Sequence, residues 1–218
     1  MTVKRRKVTE PVRIAVFVSG GGTNLQALID AQKDGILRTG KISLVLSSKR
    51  DAYALTRAND NDIPTVVVPR KECATQAEFE EGIYTALREY HIELIVLAGF
   101  LSILSEDFVQ KWPRRIINVH PSLIPSFCGK GYYGLRVHEE ALKYGVKVTG
   151  ATVHFVNEVT DGGEIILQKS VAIHKNDTPE SLQQRVMRQA EWVLLPRAAE
   201  QVSLEILYNR GKTTPNKQ

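Results

Sequence analysis

An apolar run and a glycine-rich turn follow one another in Val12-Arg13-Ile14-Ala15-Val16-Phe17-Val18-Ser19-Gly20-Gly21-Gly22-Thr23-Asn24. The first seven residues predict a buried strand, and the three successive glycines predict a tight turn. Leu25, Leu28 and Ile29 then recur at helical spacing, so a helix is predicted as far as Gln32. A strand, a glycine turn and a helix in succession are typical of an α/β protein with a parallel sheet.

The same alternation continues along the chain. It predicts strands at Ile42–Leu46, Thr65–Val68, Leu94–Ala98 and Ile116–Val119, and helices at Ala52–Asn59 and Gln76–Tyr90. We therefore expect a mostly parallel open sheet with helices on both faces.

The pattern changes after Gly150. Thr152–Val156 and Ile165–Ile173 predict two strands of an antiparallel C-terminal hairpin, and Asp177-Thr178-Pro179-Glu180 predicts the start of a helix that ends near Tyr208. One domain over residues 12–208 is expected. A basic lead-in (1–11) precedes it, and a polar tail (209–218), predicted to be disordered, follows it.

Length and composition favour one domain with a sizeable core. The chain has 218 residues, of which 43% are hydrophobic and 24% charged. No apolar run reaches the roughly 18–20 residues that span a bilayer, and the N-terminus lacks a secretory apolar region. Cys73 and Cys128 form neither a disulfide framework nor a CxxC metal site, which suits a reducing cytoplasm.

The formal net charge is +5, and Lys4, Arg5, Arg6 and Lys7 supply four of the positive charges. We interpret this basic segment as a solvated tail, because no interleaved aromatics or nucleic-acid motif accompany it. Neither a nucleic acid nor a membrane is expected as a partner.

Two polar residues, Asn118 and His120, stand at the end of a predicted strand, in the stretch Asn118-Val119-His120-Pro121-Ser122. Side chains two apart on a strand point the same way, so Asn118 and His120 are predicted to project together. At the carboxyl edge of an open sheet, an amide and an imidazole can bind an oxygen and carry a proton. The alternative is a capped strand end with a satisfied histidine, and His138 and His154 are interpreted as structural.

The glycine turn has two readings. The backbone N–H groups of Gly22, Thr23 and Asn24, with the Thr23 hydroxyl, would form a phosphate cradle at a helix start. The alternative is a plain tight turn. No P-loop lysine follows, and Leu25 and Ser47-Ser48 replace the third glycine and the acidic residue of a dinucleotide fingerprint.

Three other segments keep two interpretations each. Asp161-Gly162-Gly163 is either a hairpin turn or a close approach to a ligand, with Asp161 holding a histidine in its charged form. Arg188 and Glu191 lie three apart on the last helix, so they form an exposed ion pair or face a phosphate and sugar hydroxyls. The apolar segment 98–104 is core or the wall of a slot for a flat ring system.

Four ordered blocks of sequence resemble phosphoribosylglycinamide formyltransferases, the folate-dependent family of purine synthesis. The resemblance runs from about Val12 to Pro196. The blocks are Ser19-Gly20-Gly21-Gly22-Thr23-Asn24-Leu25-Gln26-Ala27, Val96-Leu97-Ala98-Gly99-Phe100, Asn118-Val119-His120-Pro121-Ser122-Leu123-Ile124-Pro125, and Gly150-Ala151-Thr152-Val153-His154-Phe155-Val156 leading into Asp161-Gly162-Gly163.

This resemblance implies a single-domain formyltransferase-like fold and direct formyl transfer from 10-formyltetrahydrofolate, without a metal, to phosphoribosylglycinamide through a tetrahedral intermediate. It implies small-molecule substrates and a monomer or homodimer. Asn118, His120 and Asp161 would be catalytic, with Asp161 favouring protonated His120. The ribonucleotide would contact Gly22, Thr23, Asn24, Arg188 and Glu191. Formyl folate would contact Leu101, Ser102, Ile103, Leu104, Asn118, Asn157, Glu158, Asp161 and Gln76.

The chain departs from better-known members of that family at three places. Phe127–Gly134 replaces a shorter, proline-containing segment, and Ser102 and Gln76 stand where an arginine occurs in relatives. The glycine- and tyrosine-rich loop is hypothesised to close over the substrate.

The rival functions are four. A formyltetrahydrofolate hydrolase would need an N-terminal regulatory domain, and a tRNA-directed formyltransferase a C-terminal module, for which we expect no room in this chain. A nucleotide-binding oxidoreductase is disfavoured by the imperfect fingerprint. A non-catalytic binding protein would make no use of Asn118 and His120 together.

Overall fold

The computed structural model describes residues 10–213, so the basic segment Lys4–Lys7 and residues 214–218 lie outside the described part. A seven-stranded sheet forms the centre of the molecule. Its strands are β1 (Val12–Val18), β2 (Gly40–Ser47), β3 (Thr65–Val67), β4 (Leu94–Leu97), β5 (Ile116–His120), β6 (Val148–Phe155) and β7 (Ile165–Ala172).

The strand order is β3-β2-β1-β4-β5-β6-β7, and the first five strands are parallel. β6 runs antiparallel to both β5 and β7. The predicted mostly parallel open sheet with an antiparallel C-terminal hairpin is thus confirmed. β6 begins four residues earlier than predicted, because Val148–Ala151 pairs with Lys169–Ala172.

Helices cover both faces of the sheet. They are α1 (Thr23–Lys33), α2 (Tyr53–Asn59), α3 (Gln76–Glu89), α4 (Glu106–Gln110), α5 (Leu135–Tyr144), α6 (Pro179–Val186) and α7 (Trp192–Thr213), with a π-helical turn at Met187–Glu191 and a 3₁₀ turn at Arg70–Glu72. α4 and α5 were not predicted, because one is short and the other follows a glycine-rich loop.

Two predictions about the C-terminal helix were wrong. The π turn interrupts it between α6 and α7, and α7 continues through Asn209–Thr213, which had been assigned to a disordered tail. Arg210 explains the extension. Its guanidinium pairs with Glu93 and donates to the Glu10 carbonyl oxygen, which ties the last turns to the segment just before β1.

Local signals in the sequence explain where the helices begin. Thr75 caps α3 by accepting from the Glu78 N–H, and Ser105 caps α4 in the same way. Thr178 and Ser181 form a capping box, and Pro179 occupies the first turn of α6.

The sheet separates two apolar cores. α1, α6 and α7 pack on one face, where Leu25, Leu28 and Leu195 are fully buried. α3 and α4 pack on the other, over Phe79 and Phe108. No helix among the described residues is long and apolar enough to cross a membrane.

Candidate active site

The carboxyl ends of the central strands form one edge, which organises the site. β1 pairs with β2 on one side and with β4 on the other, so the strand order reverses direction at β1. In open α/β sheets, ligands bind at the carboxyl ends of the strands beside such a switch point. Ser19, just after β1, ties the surrounding loops together. Its Oγ lies 2.7 Å from Ser48 Oγ and accepts from the Leu101 N–H at 2.9 Å.

The glycine turn leads from β1 straight into α1. Gly22 has a φ of +71° and precedes the first helical residue. A side chain there would meet Ala54, whose Cβ would lie 2.6 Å from the added Cβ. The first N–H groups of a helix have no partner within it, so those of Thr23 and Asn24 are available to an anion.

Four polar side chains converge where β5 and β6 meet the loop after β6. His120 Nδ1 lies 3.5 Å from Asp161 Oδ2, and His154 Nε2 lies 3.6 Å from Asp161 Oδ1. Asn118 Nδ2 lies 3.2 Å from His154 Nε2. The structure thus brings together the three residues that the sequence assigned to catalysis.

His154 is the member of this cluster that sequence reasoning missed. It was interpreted as structural, but it stands directly opposite Asn118 in the β5–β6 ladder. Its Nδ1 donates to the Phe155 carbonyl oxygen at 2.8 Å, and its Nε2 faces both Asn118 Nδ2 and Asp161 Oδ1. When the ring is neutral, Nε2 is therefore the acceptor for the Asn118 amide. The antiparallel pairing of β5 with β6 would have revealed this neighbour, but the sequence predicted only the β6–β7 hairpin.

His120 is buried, and burial lowers its pKa below the usual value although Asp161 partly offsets this. Asp161 favours protonated His120, as expected, but the desolvation of the imidazolium lowers the pKa by more than the attraction of this one carboxylate raises it. The ring is held by a hydrogen bond of 2.9 Å between Nε2 and the Phe127 carbonyl oxygen. That bond makes Nε2 the protonated nitrogen and leaves Nδ1 free to accept a proton.

Asp161 remains a carboxylate. Burial alone would raise its pKa, but His154, His120 and the Gly129 N–H together lower it below the usual value. The Gly129 N–H donates to Oδ2 at 2.8 Å. The loop Phe127–Gly134 therefore contacts both members of the His120–Asp161 pair through its backbone.

Arg188 and Glu191 do not share a face, which corrects the prediction made from helical spacing. Both lie in the π turn, whose extra residue rotates the side chains relative to an α-helix. Arg188 is exposed and donates to Gln184, whereas Glu191 is 7% exposed and accepts from Asn24 Nδ2 at 2.7 Å. Burial raises the pKa of Glu191.

The segment predicted to wall a slot is open to solvent on one side. Leu101 and Ile103 are 56% and 75% exposed, whereas Ser102 and Leu104 are half-buried. Two exposed aliphatic side chains in one short segment are what a flat apolar ligand would cover.

A buried carboxylate braces that segment. Glu80 accepts from the backbone N–H and the hydroxyl of Ser105, and from Gln76 Nε2, which also donates to the Ile103 carbonyl oxygen. The amide nitrogen of Gln76 is thus engaged inside the protein, and a contact between Gln76 and folate stays a prediction.

The loop between β6 and β7 holds two further residues that the resemblance assigned to folate. Asn157 Oδ1 accepts from the Val159 N–H, and Glu158 is exposed. Within residues 10–213, no group of three or more His, Cys, Asp or Glu is arranged to hold a metal ion.

Comparison with known proteins places this geometry in a family. The formyl transferase profile matches residues 12–198. The phosphoribosylglycinamide formyltransferase of Haemophilus influenzae is 42% identical over 84% of each chain. The human trifunctional purine biosynthetic protein adenosine-3 is 44% identical over 88% of this chain.

Solved structures agree. Glycinamide ribonucleotide transformylase 1 from Symbiobacterium toebii superposes with a TM-score of 0.84 at 33% identity, covering 94% of this chain and 92% of that one. The chain spans 18% of the length of the human protein and 61% of the chloroplastic phosphoribosylglycinamide formyltransferase of Arabidopsis thaliana. With a match over most of its length, a shared fold and the polar cluster at the sheet edge, this chain belongs to the formyl transferase family.

Proposed function

We propose that the chain transfers the formyl group of 10-formyltetrahydrofolate to the amine of N1-(5-phosphoribosyl)glycinamide, giving the N-formyl product in de novo purine synthesis. The observation that carries the proposal is the convergence of Asn118, His120 and Asp161 at one sheet edge. The names of its relatives support the same substrates.

In this reaction the substrate amine attacks the formyl carbon. A new C–N bond forms, the carbonyl oxygen becomes an oxyanion, and the bond to the folate nitrogen then breaks as that nitrogen takes a proton. Asn118 suits the oxyanion, because one N–H of its amide faces His154 and the second is available. A donor of this kind typically contributes about 3 kcal/mol to lowering the barrier.

His120 and Asp161 suit the proton transfer. Neutral His120 can take the proton that the amine loses, and the resulting imidazolium has an acceptor for each N–H, Phe127 O on one side and Asp161 on the other. The proton then returns to the leaving folate nitrogen. General acid–base help of this kind typically contributes about 10²–10⁴-fold.

We infer that both substrates bind at the same sheet edge as the cluster. We assign the ribonucleotide phosphate to the N–H groups of Gly22, Thr23 and Asn24, and its sugar hydroxyls to Glu191, with Arg188 at the rim. The folate ring system is assigned to the slot formed by Leu101, Ser102, Ile103, Leu104, Asn118, Asn157, Glu158 and Asp161.

The test is to mix the protein with 10-formyltetrahydrofolate, with and without the ribonucleotide, and follow loss of the formyl group. Loss that requires the ribonucleotide supports transfer. Loss without it would mean a hydrolase, and no loss in either tube would leave a binding protein.

Variants of the cluster sharpen that test. We expect His120→Ala and Asp161→Asn each to reduce kcat at least a hundredfold with an unchanged circular dichroism spectrum. The matched control is His174→Ala, which removes an exposed imidazole elsewhere. A near-normal rate in either cluster variant would refute the assigned roles.

A further inference from the structure

The carbonyl groups of the glycine turn, Gly20 to Gly22, point away from the N–H groups that are assigned to the phosphate. Gly20 O accepts from the Ala54 N–H at 3.0 Å, and Gly22 O accepts from the Gln26 N–H at 2.9 Å. Gly21 O accepts from Arg57 Nε at 2.8 Å. Two of the three carbonyls are therefore held by residues of α2, Ala54 and Arg57.

The planarity of the peptide bond gives these contacts a consequence. The C=O of one residue and the N–H of the next point in opposite directions across one rigid plane. The Arg57 bond to Gly21 O therefore sets the direction of the Gly22 N–H, which is one of the three donors assigned to the phosphate. With Gly21 O released, the peptide could rotate and present a carbonyl oxygen to the anion.

Arg57 is also tied to the first turn of α1. Its Nη1 donates to Gln26 Oε1 at 3.1 Å, and Gln26 in turn donates to Asp30. The guanidinium lies over the Tyr53 ring, 5.1 Å from its centroid. The planar fork of arginine thus spans both sides of the glycine turn, a geometry that the single ammonium of lysine does not reproduce.

The position of Arg57 also favours an anion electrostatically. The side chain is half-buried, and with Thr23 and Gln26 it lines one end of a groove of about 460 Å³ between α1 and α7. A fixed positive charge beside the N–H groups of a helix start adds to the attraction for a phosphate.

We propose that Arg57 is a positioning residue of the phosphate subsite, which fixes the Gly21–Gly22 peptide so that its N–H faces the phosphate of the substrate. The proposal rests on the proposed function for the identity of that substrate. It concerns a sugar phosphate as the ligand class, and it assigns Arg57 to binding rather than to the chemical step.

The test compares Arg57→Ala, Arg57→Lys and a control, Arg50→Ala, which removes an exposed arginine paired with Glu72. Calorimetric titration with ribose 5-phosphate and with ribose measures the contribution of the phosphate. Arg57→Ala should weaken ribose 5-phosphate binding about tenfold and leave ribose binding unchanged, because the loss of one well-directed N–H to a charged ligand is of that order.

Steady-state kinetics give the second readout. In Arg57→Ala the KM for the ribonucleotide should rise about tenfold, while kcat and the KM for formyl folate stay within about twofold. Arg57→Lys, which keeps the charge but loses the fork, should remain impaired, and Arg50→Ala should match the wild type. Gln26→Ala, which removes one anchor of Arg57, should raise the same KM by less than Arg57→Ala does.

Three results would overturn the inference: full rescue by lysine, an unchanged KM in Arg57→Ala, or equal losses for both substrates. Its failure is distinguishable from failure of the proposed function. If the wild-type protein lacks transferase activity but binds ribose 5-phosphate in an Arg57-dependent way, the proposed formyl transfer is refuted, whereas the role of Arg57 in phosphate binding stands.

Discussion

His154 determines which atom of the Asn118 amide faces the reacting centre. In the neutral ring the one proton is on Nδ1, where the Phe155 carbonyl oxygen accepts it, so Nε2 is an acceptor, and an amide next to an acceptor presents its NH₂ group. The orientation needed to stabilise an oxyanion is therefore set before substrate binds.

Removing that acceptor should lower the rate without abolishing it. We expect His154→Phe, which fills the space but accepts no hydrogen bond, to reduce kcat about tenfold with little change in either KM, because one orienting bond is lost. Initial rates at saturating substrates measure the effect. A KM that rises in place of a falling kcat would contradict a positioning role.

The pH dependence of the rate follows from the state of His120. Because its pKa lies below the usual 6.5, the neutral form dominates at pH 7, and kcat/KM should fall only as His120 gains a proton in more acidic solution. Asp161 raises that pKa, so Asp161→Asn should move the acid limb to lower pH while lowering the plateau. A pH profile of kcat/KM checks this, and an acid limb that moves upward in the variant would contradict it.

At the scale of elements, the glycine turn is shaped by the close approach of α2. Gly22 combines a positive φ with a Cβ position 2.6 Å from Ala54 Cβ, whereas Gly35 has nearly the same φ, +70°, and open space around it. A comparison of Gly22 with Gly35 therefore separates the cost of a positive φ from the cost of a steric clash with α2.

Alanine at these two glycines should therefore have unequal effects. Gly35→Ala should cost about 1 kcal/mol of unfolding free energy, the typical cost of a left-handed conformation. Gly22→Ala should cost about 2–4 kcal/mol, because displacement of α2 adds a penalty typical of overpacking. Urea unfolding measures both free energies of unfolding, and equal costs would show that α2 can move away from the added methyl group without a penalty.

The strands could be predicted from the sequence, but the π turn at Met187–Glu191 could not. All seven strands were predicted, β1 with the observed bounds. The signal is simplest in β1, β2, β4 and β5, because strands that are buried on both faces read as continuous apolar runs. Helical spacing put Arg188 and Glu191 on one face, and it failed because a π turn depends on how α6 and α7 pack, which has no local signature.

At the scale of the whole molecule, distant segments meet because of strand order. Asn118, His120 and Asp161 could be assigned by their blocks of sequence. Asn118 and His120 share β5, and Asp161 meets them because β6, which precedes its loop, pairs with β5. His154 could not be assigned, because its role depends on the β5–β6 register, a long-range property of the assembled sheet.

One buried imidazole couples the stability of the whole domain to pH. His138 on α5 is fully buried, and neither ring nitrogen has a hydrogen-bond partner among the described residues. Burial, and then the neighbouring His120, lowers its pKa to about 4. In the unfolded chain His138 therefore gains a proton below about pH 6.5, whereas in the folded protein it gains one only near pH 4.

Stability should accordingly fall as the solution is acidified through that window, by about 3 kcal/mol at its lower end. His138→Leu, which keeps an apolar side chain in place of the imidazole, should unfold at the same or higher urea concentration near neutral pH and lose most of the acid sensitivity. A smaller slope should persist, because burial also lowers the pKa of His120. Urea unfolding at several pH values between about 4 and 7.5 provides the comparison. Parallel curves for the variant and the wild type would show that acid sensitivity arises at other groups.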